Sequence, residues 1–519
     1  MADAAPTPVP NVLFITGNGH GLGHLTRMMA VARNAHGRFH PVFLTLSQAF
    51  PLATELGWVV EYLPSYTKLN LTRVQWEPIF ASRLVGSLKH IKPRVVVVDH
   101  ISPPVSLARV RTQCQGIDFV WSRRGMWREG RNKGALRMSD KFDLVVEPRD
   151  VAGPIDVGLT TAEHRGVTFV GPVVLVPPAE QGGRDEARRA LGIPLDGRAV
   201  LIQLSESNSE QWAAMTAKVR DVVLSVVGQE KVHLFTPLHA LHGHSAPGVD
   251  GVIMRPVYPI AMYLKAFDGI VSTAGYNSFH EVVASGVPAV FIARTTDSLD
   301  DQARRAAFVE LCGRGFCAPT IFHPAFRKAI RRVLLSDEGS ISATVTRELG
   351  TFEGAAEFAD LVAGRCVLRS NEEFAFTNGP GTNPPNSRVL DRIISGDQPS
   401  SGEGSAQRMV VVAVGISGMP LAKVVSHVDS IQKATPVKPI FLVNEVDGRD
   451  AALLDRKRFQ YETVMDQSVF SGLARGSYDE YLNDVIDGMR FRYGPTRVVT
   501  LSSDEAVSRQ LPLAAKAQD

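Results

Sequence analysis

A glycine-rich turn that holds two imidazoles, GNGHGLGH over residues 17–24, is the first place where residue types could do chemistry. Gly21 and Gly23 permit close backbone approach by a ligand, and a following helix N-terminus favours an anion. Arg27, in the first helical turn, could add a guanidinium to bound phosphates or be plain surface charge. Histidine titrates near neutrality, so His20 or His24 could take a proton from an attacking hydroxyl. Either imidazole could equally cap the loop. A buried apolar run, Val95 to Val98, then ends in Asp99. An acid there sits at the carboxyl edge of a parallel sheet, where ligands of doubly wound folds bind. Asp99 could orient and charge-stabilise an imidazole, or cap the next helix. A dinucleotide fold expects an acid roughly 20 residues past the glycine turn. Thr45, Leu46, Ser47 and Gln48 stand at the end of that second strand instead, which argues against NAD.

The second constellation is DGIVSTAGYNSFHEVVASGVPAVFI over residues 268–292. It reads as strand, small-residue turn, helix, turn and strand. Amides of Gly275, Tyr276 and Asn277 would point from a helix start at a pyrophosphate, and Glu281 could accept from a ribose diol. Two anion-friendly turns suit a nucleotide diphosphate lying across a cleft. A third segment, WSRRGMWR over residues 121–128, joins the guanidinium of Arg124 to the aromatic face of Trp127. It suits sugar stacking and phosphate binding; a solvated loop with core-facing tryptophans explains it equally.

These residues need sheet edges to carry them. Apolar runs at Val12–Ile15, Pro41–Leu46, Arg94–Asp99, Phe142–Glu147 and Val167–Val170 alternate with helical spacing, as in a parallel sheet covered on both faces. After a Pro/Gly/charge break near Pro177–Gly183 the alternation resumes with Ala199–Leu204, Val232–Phe235, Gly269–Ser272 and Ala289–Ala293. The expected organisation is a domain over 10–178, a second over 184–366, a flexible Gly/Pro/Ser/Asn-rich linker over 371–407 and a small α/β domain over 408–507. In that last domain, Gly415 to Gly418 follow a strand but lack the Lys and Ser/Thr of a phosphate-binding loop.

In these segments the chain resembles the GT-B glycosyltransferases, among them the bacterial lipid-linked N-acetylglucosaminyltransferase of peptidoglycan synthesis and the monogalactosyldiacylglycerol synthases. The likeness covers about residues 10–365 and rests on Gly21 to His24 and on the block from Ser272 to Pro288. It implies an α/β fold of two facing Rossmann-like domains, acceptor first and donor second. It further implies that Thr273, Ala274, Gly275, Tyr276, Asn277 and Ser278 hold the donor diphosphate and Glu281 its ribose. The backbone near Val257 would face the uracil, and Asp300, Asp301 and Gln302 would reach the donor sugar. His24, rather than His20, takes the reacting position by its place before the helix, with Asp99 paired to it. Departures are the two-histidine loop, the segment Gln203 to Asn208 without the usual glycines, and the third domain.

The function expected is transfer of a hexose or N-acetylhexosamine from a UDP-sugar to a hydroxyl of a glycan, lipid-linked or small-molecule acceptor. Configuration would invert, His24 would be general base, and the donor would be substrate rather than cofactor. No Asp-x-Asp motif stands beside a suitable strand, so no metal is expected. A UDP-sugar epimerase of the same fold and a non-catalytic nucleotide-sugar-binding protein are the alternatives. Composition excludes other classes. A net charge of +3, from 56 basic and 53 acidic residues, is no nucleic-acid footprint. Four cysteines are too few for a disulfide scaffold. Neither a signal peptide nor a run of about 18 apolar residues is present. A cytoplasmic location is expected, with peripheral contact to the inner face of the membrane compatible, and the third domain is expected to dock a protein partner or regulate.

Overall fold

The computed structural model describes residues 9–17, 22–205, 208–228, 231–238, 247–293, 299–311, 315–335, 351–369, 372, 374–376, 407–413, 421–434, 437–444, 448–473, 476–493 and 497–500. His20, Gly21, Cys312, Gly415–Gly418 and most of the 371–407 segment lie outside these residues.

The first domain contains β1 (Asn11–Thr16), β2 (His40–Thr45), β3 (Val59–Tyr62), β4 (Val95–Asp99), β5 (Cys114–Gln115), β6 (Asp118–Ser122), β7 (Leu144–Pro148) and β8 (Val167–Val170). Seven of them form one parallel sheet in the order β3-β2-β1-β4-β6-β7-β8. Successive side chains of a strand face opposite ways, so the all-valine stretch of β4 must be covered twice. Val96 and Val98 pack with Trp76, Phe80, Leu84 and Leu88 of helix Arg73–Ile91. Val95 and Val97 pack with Leu25, Met28 and Met29 of helix Gly23–Arg33. A reciprocal cap fixes where helix Arg73–Ile91 begins: the Gln75 amide donates to Thr72 Oγ1 and the Thr72 amide to Gln75 Oε1. Strands β3 and β6 escape the hydropathy pattern because a buried acid interrupts one and polar residues bound the other.

The second domain repeats the plan with β9 (Arg198–Gln203), β10 (Val232–Leu238), β11 (Val252–Pro256), β12 (Gly269–Thr273), β13 (Ala289–Ile292) and β14 (Phe316–Ala318), ordered β11-β10-β9-β12-β13-β14. In each sheet the order reverses beside the first strand, at β1/β4 and at β9/β12, and crevices open at such switch points. The sequence reading placed residues up to 366 in this second domain. Helix Gly354–Leu368 instead packs on the first, where Phe358, Ala359 and Val362 join the cluster of Val12, Phe14 and Val97. After it, β15 (Ala375–Phe376) pairs antiparallel with β5.

The third domain has β16 (Gln407–Ala413), β17 (Val437–Val443), β18 (Gln460–Thr463) and β19 (Arg497–Thr500) in the parallel order β18-β17-β16-β19. It shares two hydrophobic clusters with the first domain. Tyr481, Val485 and Met489 of helix Tyr478–Tyr493 join the cluster of Phe80, Leu84 and Leu88, while Phe50 and Tyr62 join Phe441 and Tyr461. Strand β18 lies along the edge strand β3, and the Tyr62 amide donates to Thr463 Oγ1 at 2.8 Å. Covering β3 in this way shields an edge that would otherwise offer unpaired backbone groups. At the seam, Arg83 stands 3.4 Å from Glu61 and 3.9 Å from Glu462, both carboxylates without exposed surface, and donates to Thr463 O at 2.8 Å. Ser87 and Tyr481 complete the set by donating to Glu61 at 2.6 and 2.5 Å. Among the described residues no helix is long and apolar enough to cross a membrane.

Two outcomes follow. A Cβ on Gly354 would lie 1.8 Å from Gly171 O, whereas one on Gly364 meets nothing within 4 Å. Thermal denaturation should show Gly354→Ala destabilised by about 3 kcal/mol and Gly364→Ala, inside the same helix, slightly stabilised. Arg83→Met strands two buried carboxylates, and chemical denaturation should show a loss of about 3–5 kcal/mol. An unchanged midpoint for Arg83→Met would mean the seam contributes nothing.

Candidate active site

The two switch points face each other, and His24 and Gly275 mark the two sides. His24 lies on helix Gly23–Arg33 just after the glycine turn, and its Nδ1 hydrogen-bonds Asp99 Oδ1 at the end of β4. Since a carboxylate only accepts, Nδ1 carries the proton and Nε2 keeps its lone pair. Asp99 has no exposed surface and accepts three further hydrogen bonds: from Arg27 Nε at 2.9 Å, Arg27 Nη2 at 2.6 Å and Ser122 Oγ at 2.9 Å. Although burial works to raise it, Arg27 and His24 hold the Asp99 carboxyl well below the usual range. For His24 burial dominates and lowers its pKa from 6.5, against the opposing pull of Asp99. An imidazole so placed is neutral at pH 7 and able to accept a proton. Arg27 is only 1% exposed, which rules out plain surface charge.

His100 is a neighbour the sequence did not single out. Its ring lies 6.1 Å from that of His24, and burial lowers its pKa to about 3. A Cβ on Gly17 would stand 2.6 Å from His100 Cδ2, so this turn needs glycine for the ring to fit.

Across the cleft, Thr273 ends β12 and Gly275 precedes helix Tyr276–Ser285 with no side-chain cap. Gly275 has an ordinary φ of −66°, and a Cβ there would meet nothing within 4 Å. The fold does not require glycine at 275; open space lies beside those amides. Asn277 is committed across the cleft, donating from Nδ2 to Gly23 O at 3.1 Å and standing 3.4 Å from Arg27 Nη1. Tyr276 OH donates to Arg149 O at 3.0 Å and accepts from the Val173 amide at 3.1 Å. Ser278 Oγ lies 3.4 Å from Gln203 Nε2, and Ala274 O accepts from Arg305 Nη1 at 2.7 Å. Glu281 is buried, which pushes its carboxyl up to about 7 despite a hydrogen bond from the Leu175 amide. Val257, half-buried, follows β11, and Tyr258 OH meets Thr26 Oγ1 at 2.8 Å.

The acidic segment is tied to the first domain. Trp127 and Asp300 form an antiparallel bridge, flanked by Arg128 N to Leu299 O at 2.8 Å and Asp301 N to Met126 O at 2.9 Å. Asp300 pairs with Arg305 at 2.7 Å, Asp301 with Arg304 at 3.2 Å, and Gln302 begins helix Gln302–Leu311. Arg124 Nη1 stands 3.9 Å from Asp300. Trp121 and Trp127 both pack in the first-domain core, so neither ring presents a face for sugar stacking. Arg305 also pairs with Asp150 of the first domain at 2.8 Å. No sequence signal marks that pair, because 155 residues separate its members. Among the described residues no group of three or more His, Cys, Asp or Glu could hold a metal.

His280 locks helix Tyr276–Ser285 to the loop after β7. Its Nδ1 donates to Tyr276 O at 2.6 Å and its Nε2 accepts from the Val151 amide at 3.1 Å. Both bonds need a neutral ring, and burial lowers its pKa to about 4 from 6.5. The folded state therefore binds fewer protons between those values than the unfolded one. The stability His280 contributes above pH 6.5 is lost as pH falls towards 4, on the order of 3 kcal/mol. Glu281 and Glu147, both raised to about 7, slope the other way and are common to any His280 variant. The stability gap between wild type and His280→Gln should narrow from pH 7 to pH 4 in parallel denaturant titrations. A gap independent of pH would contradict the neutral lock.

No protein-family model matches the chain. Its sequence is 26% identical over 238 residues to a UDP-N-acetylglucosamine--N-acetylmuramyl-(pentapeptide) pyrophosphoryl-undecaprenol N-acetylglucosamine transferase of Clavibacter michiganensis subsp. michiganensis, covering 42% of this chain and 63% of the relative. A protein of the same description from Clavibacter sepedonicus is 26% identical over 232 residues, covering 41% of this chain and 62% of its own length. The chain thus spans less than two thirds of the curated relatives it matches. Similar solved structures include the kitacinnamycin glycotransferase, 17% identical with a TM-score of 0.49 over 69% of this chain and 99% of that one. Another is MurG of Acinetobacter baumannii, 15% identical with a TM-score of 0.45 over 68% and 99%. With two Rossmann-like domains facing across a cleft, the chain has the GT-B architecture, and over part of its length its sequence resembles the lipid-linked N-acetylglucosaminyltransferases.

Proposed function

We propose that this protein transfers a hexosyl or N-acetylhexosaminyl group from a UDP-sugar to a hydroxyl of a glycan, lipid-linked or small-molecule acceptor, with inversion. The observation that carries the reading is the buried His24–Asp99 pair, whose helix meets the helix that begins after Gly275 through Asn277. The acceptor oxygen attacks the anomeric carbon and its proton passes to His24 Nε2. The bond from that carbon to the diphosphate breaks, and its electron pair leaves with the nucleotide. Asp99 keeps the imidazole in the Nδ1–H form and stabilises the imidazolium. Amides at the start of helix Tyr276–Ser285 stabilise the leaving diphosphate. The activity named for the Clavibacter relatives agrees with a UDP-sugar donor and a lipid-linked acceptor. A cytoplasmic location with peripheral contact to the membrane belongs to the same reading.

The test is turnover of a UDP-sugar panel by wild type, His24→Ala and Asp99→Asn. His24→Ala should lose roughly 100-fold or more in kcat, with UDP affinity kept within about twofold as evidence of an intact donor domain. Undiminished turnover by His24→Ala would remove the general base, and conversion of a UDP-sugar without an acceptor would favour an epimerase.

A further inference from the structure

Arg27 touches both the acid behind His24 and the helix facing the donor. Its Nε and Nη2 grip Asp99 at 2.9 and 2.6 Å. Its Nη1 has a single long contact, 3.4 Å to Asn277 Oδ1, and the guanidinium lies 5.3 Å from the centre of the Tyr276 ring. Two of its three nitrogens therefore fix the acid, and the third points at the first turn of helix Tyr276–Ser285. Arg27 is 1% exposed, and a Cβ on Gly23 would lie 3.9 Å from Nη1, so that nitrogen is enclosed between the turn and the facing helix.

We propose that Arg27 is a positioning residue that couples donor binding to the general base: it holds Asp99 for His24 and, through Nη1, holds Asn277 in the first turn of the helix that faces the donor's diphosphate. The inference rests on the glycosyl-transfer reading above. Asp99 has four acceptor positions and all are occupied, by His24, by Arg27 twice and by Ser122. Removing the guanidinium leaves a buried carboxylate hydrogen-bonded by the imidazole and the Ser122 hydroxyl, without its nearest fixed positive charge. The groups facing His24 are Asp99 from β4, Arg27 from its own helix, His100 after β4 and Arg124 after β6. Arg27 and Arg124 disfavour the imidazolium and Asp99 favours it. Without Arg27 the balance moves towards protonated His24, which cannot act as a base until the pH is raised.

The experiment compares wild type, Arg27→Gln, Arg27→Lys and His24→Ala with whichever UDP-sugar the wild type turns over. In Arg27→Gln the acid limb of the kcat/KM profile should move up by roughly one pH unit. Arg27→Lys retains the buried charge without the fork, so its acid limb should stay at the wild-type position. Its UDP dissociation constant should rise roughly tenfold. An Arg27→Gln profile lowered equally at every pH, or an Arg27→Lys affinity for UDP equal to wild type, would overturn the coupling and leave Arg27 a packing residue. If Arg27→Gln fails to fold, the Arg27→Lys pair of measurements decides. Loss of turnover in His24→Ala with an unshifted Arg27→Gln limb sinks this proposal alone. Full turnover in His24→Ala, or no turnover of any UDP-sugar by wild type, sinks the parent reading with it.

Discussion

A carboxylate with no exposed surface must find all its partners inside the protein, since burying an uncompensated charge is costly. Asp99 meets that requirement at the end of β4 with one imidazole, one guanidinium and one hydroxyl. The arrangement of the cleft depends on this solution. His24 and Arg27 must lie one helical turn apart on the same face, which sets where helix Gly23–Arg33 begins. Ser122 must end the adjacent strand, and the register Asp99↔Ser122 puts it there. Gly17 must lack a side chain so that His100 can pass beside the turn.

The two GT-B domains meet through polar groups that are almost fully withdrawn from water. Arg305 spans Asp150 and Asp300, His280 reaches Val151, and Tyr276 reaches Arg149 and Val173. Such bonds are directional, so they specify one relative placement of the domains. The segment Asp300–Gln302 is held by backbone pairing with the loop after β6 as well as by its own side chains. The third domain is joined more in the manner of a shared core: two hydrophobic clusters, a covered edge strand and the Glu61–Arg83–Glu462 set bind it to the first domain. A long interface of that kind makes the third domain a built-in part of the first-domain half, whatever else it contacts.

Much of this was legible in the residues alone. Alternating apolar runs gave the parallel sheets, because a strand buried on both faces has to read as a nearly continuous hydrophobic stretch. The order of strand, small-residue turn and helix located the edges where His24, Asp99 and Gly275 stand. Edge and interrupted strands such as β3 were not legible, since a buried Glu61 looks in sequence like a surface acid. Helix Gly354–Leu368 was assigned to the wrong neighbour for a related reason: apolar spacing shows that a face is buried, but not against which sheet.

The sequence by itself determined the local elements, the two anion-friendly turns and the acid Asp99, since these follow from spacing within a few residues or from position at a strand end. The choice of His24 over His20 as its partner came from the resemblance to the GT-B glycosyltransferases. Tertiary structure alone decided that Arg27 is buried against Asp99, that Trp127 faces the core, that Asp150 pairs with Arg305 and that Asp455 of the third domain holds Lys68. The physical reason is that burial and charge pairing depend on distance in space. Residues far apart in the chain acquire partners only when separate sheets pack together, and no local pattern of residues encodes which partners those will be.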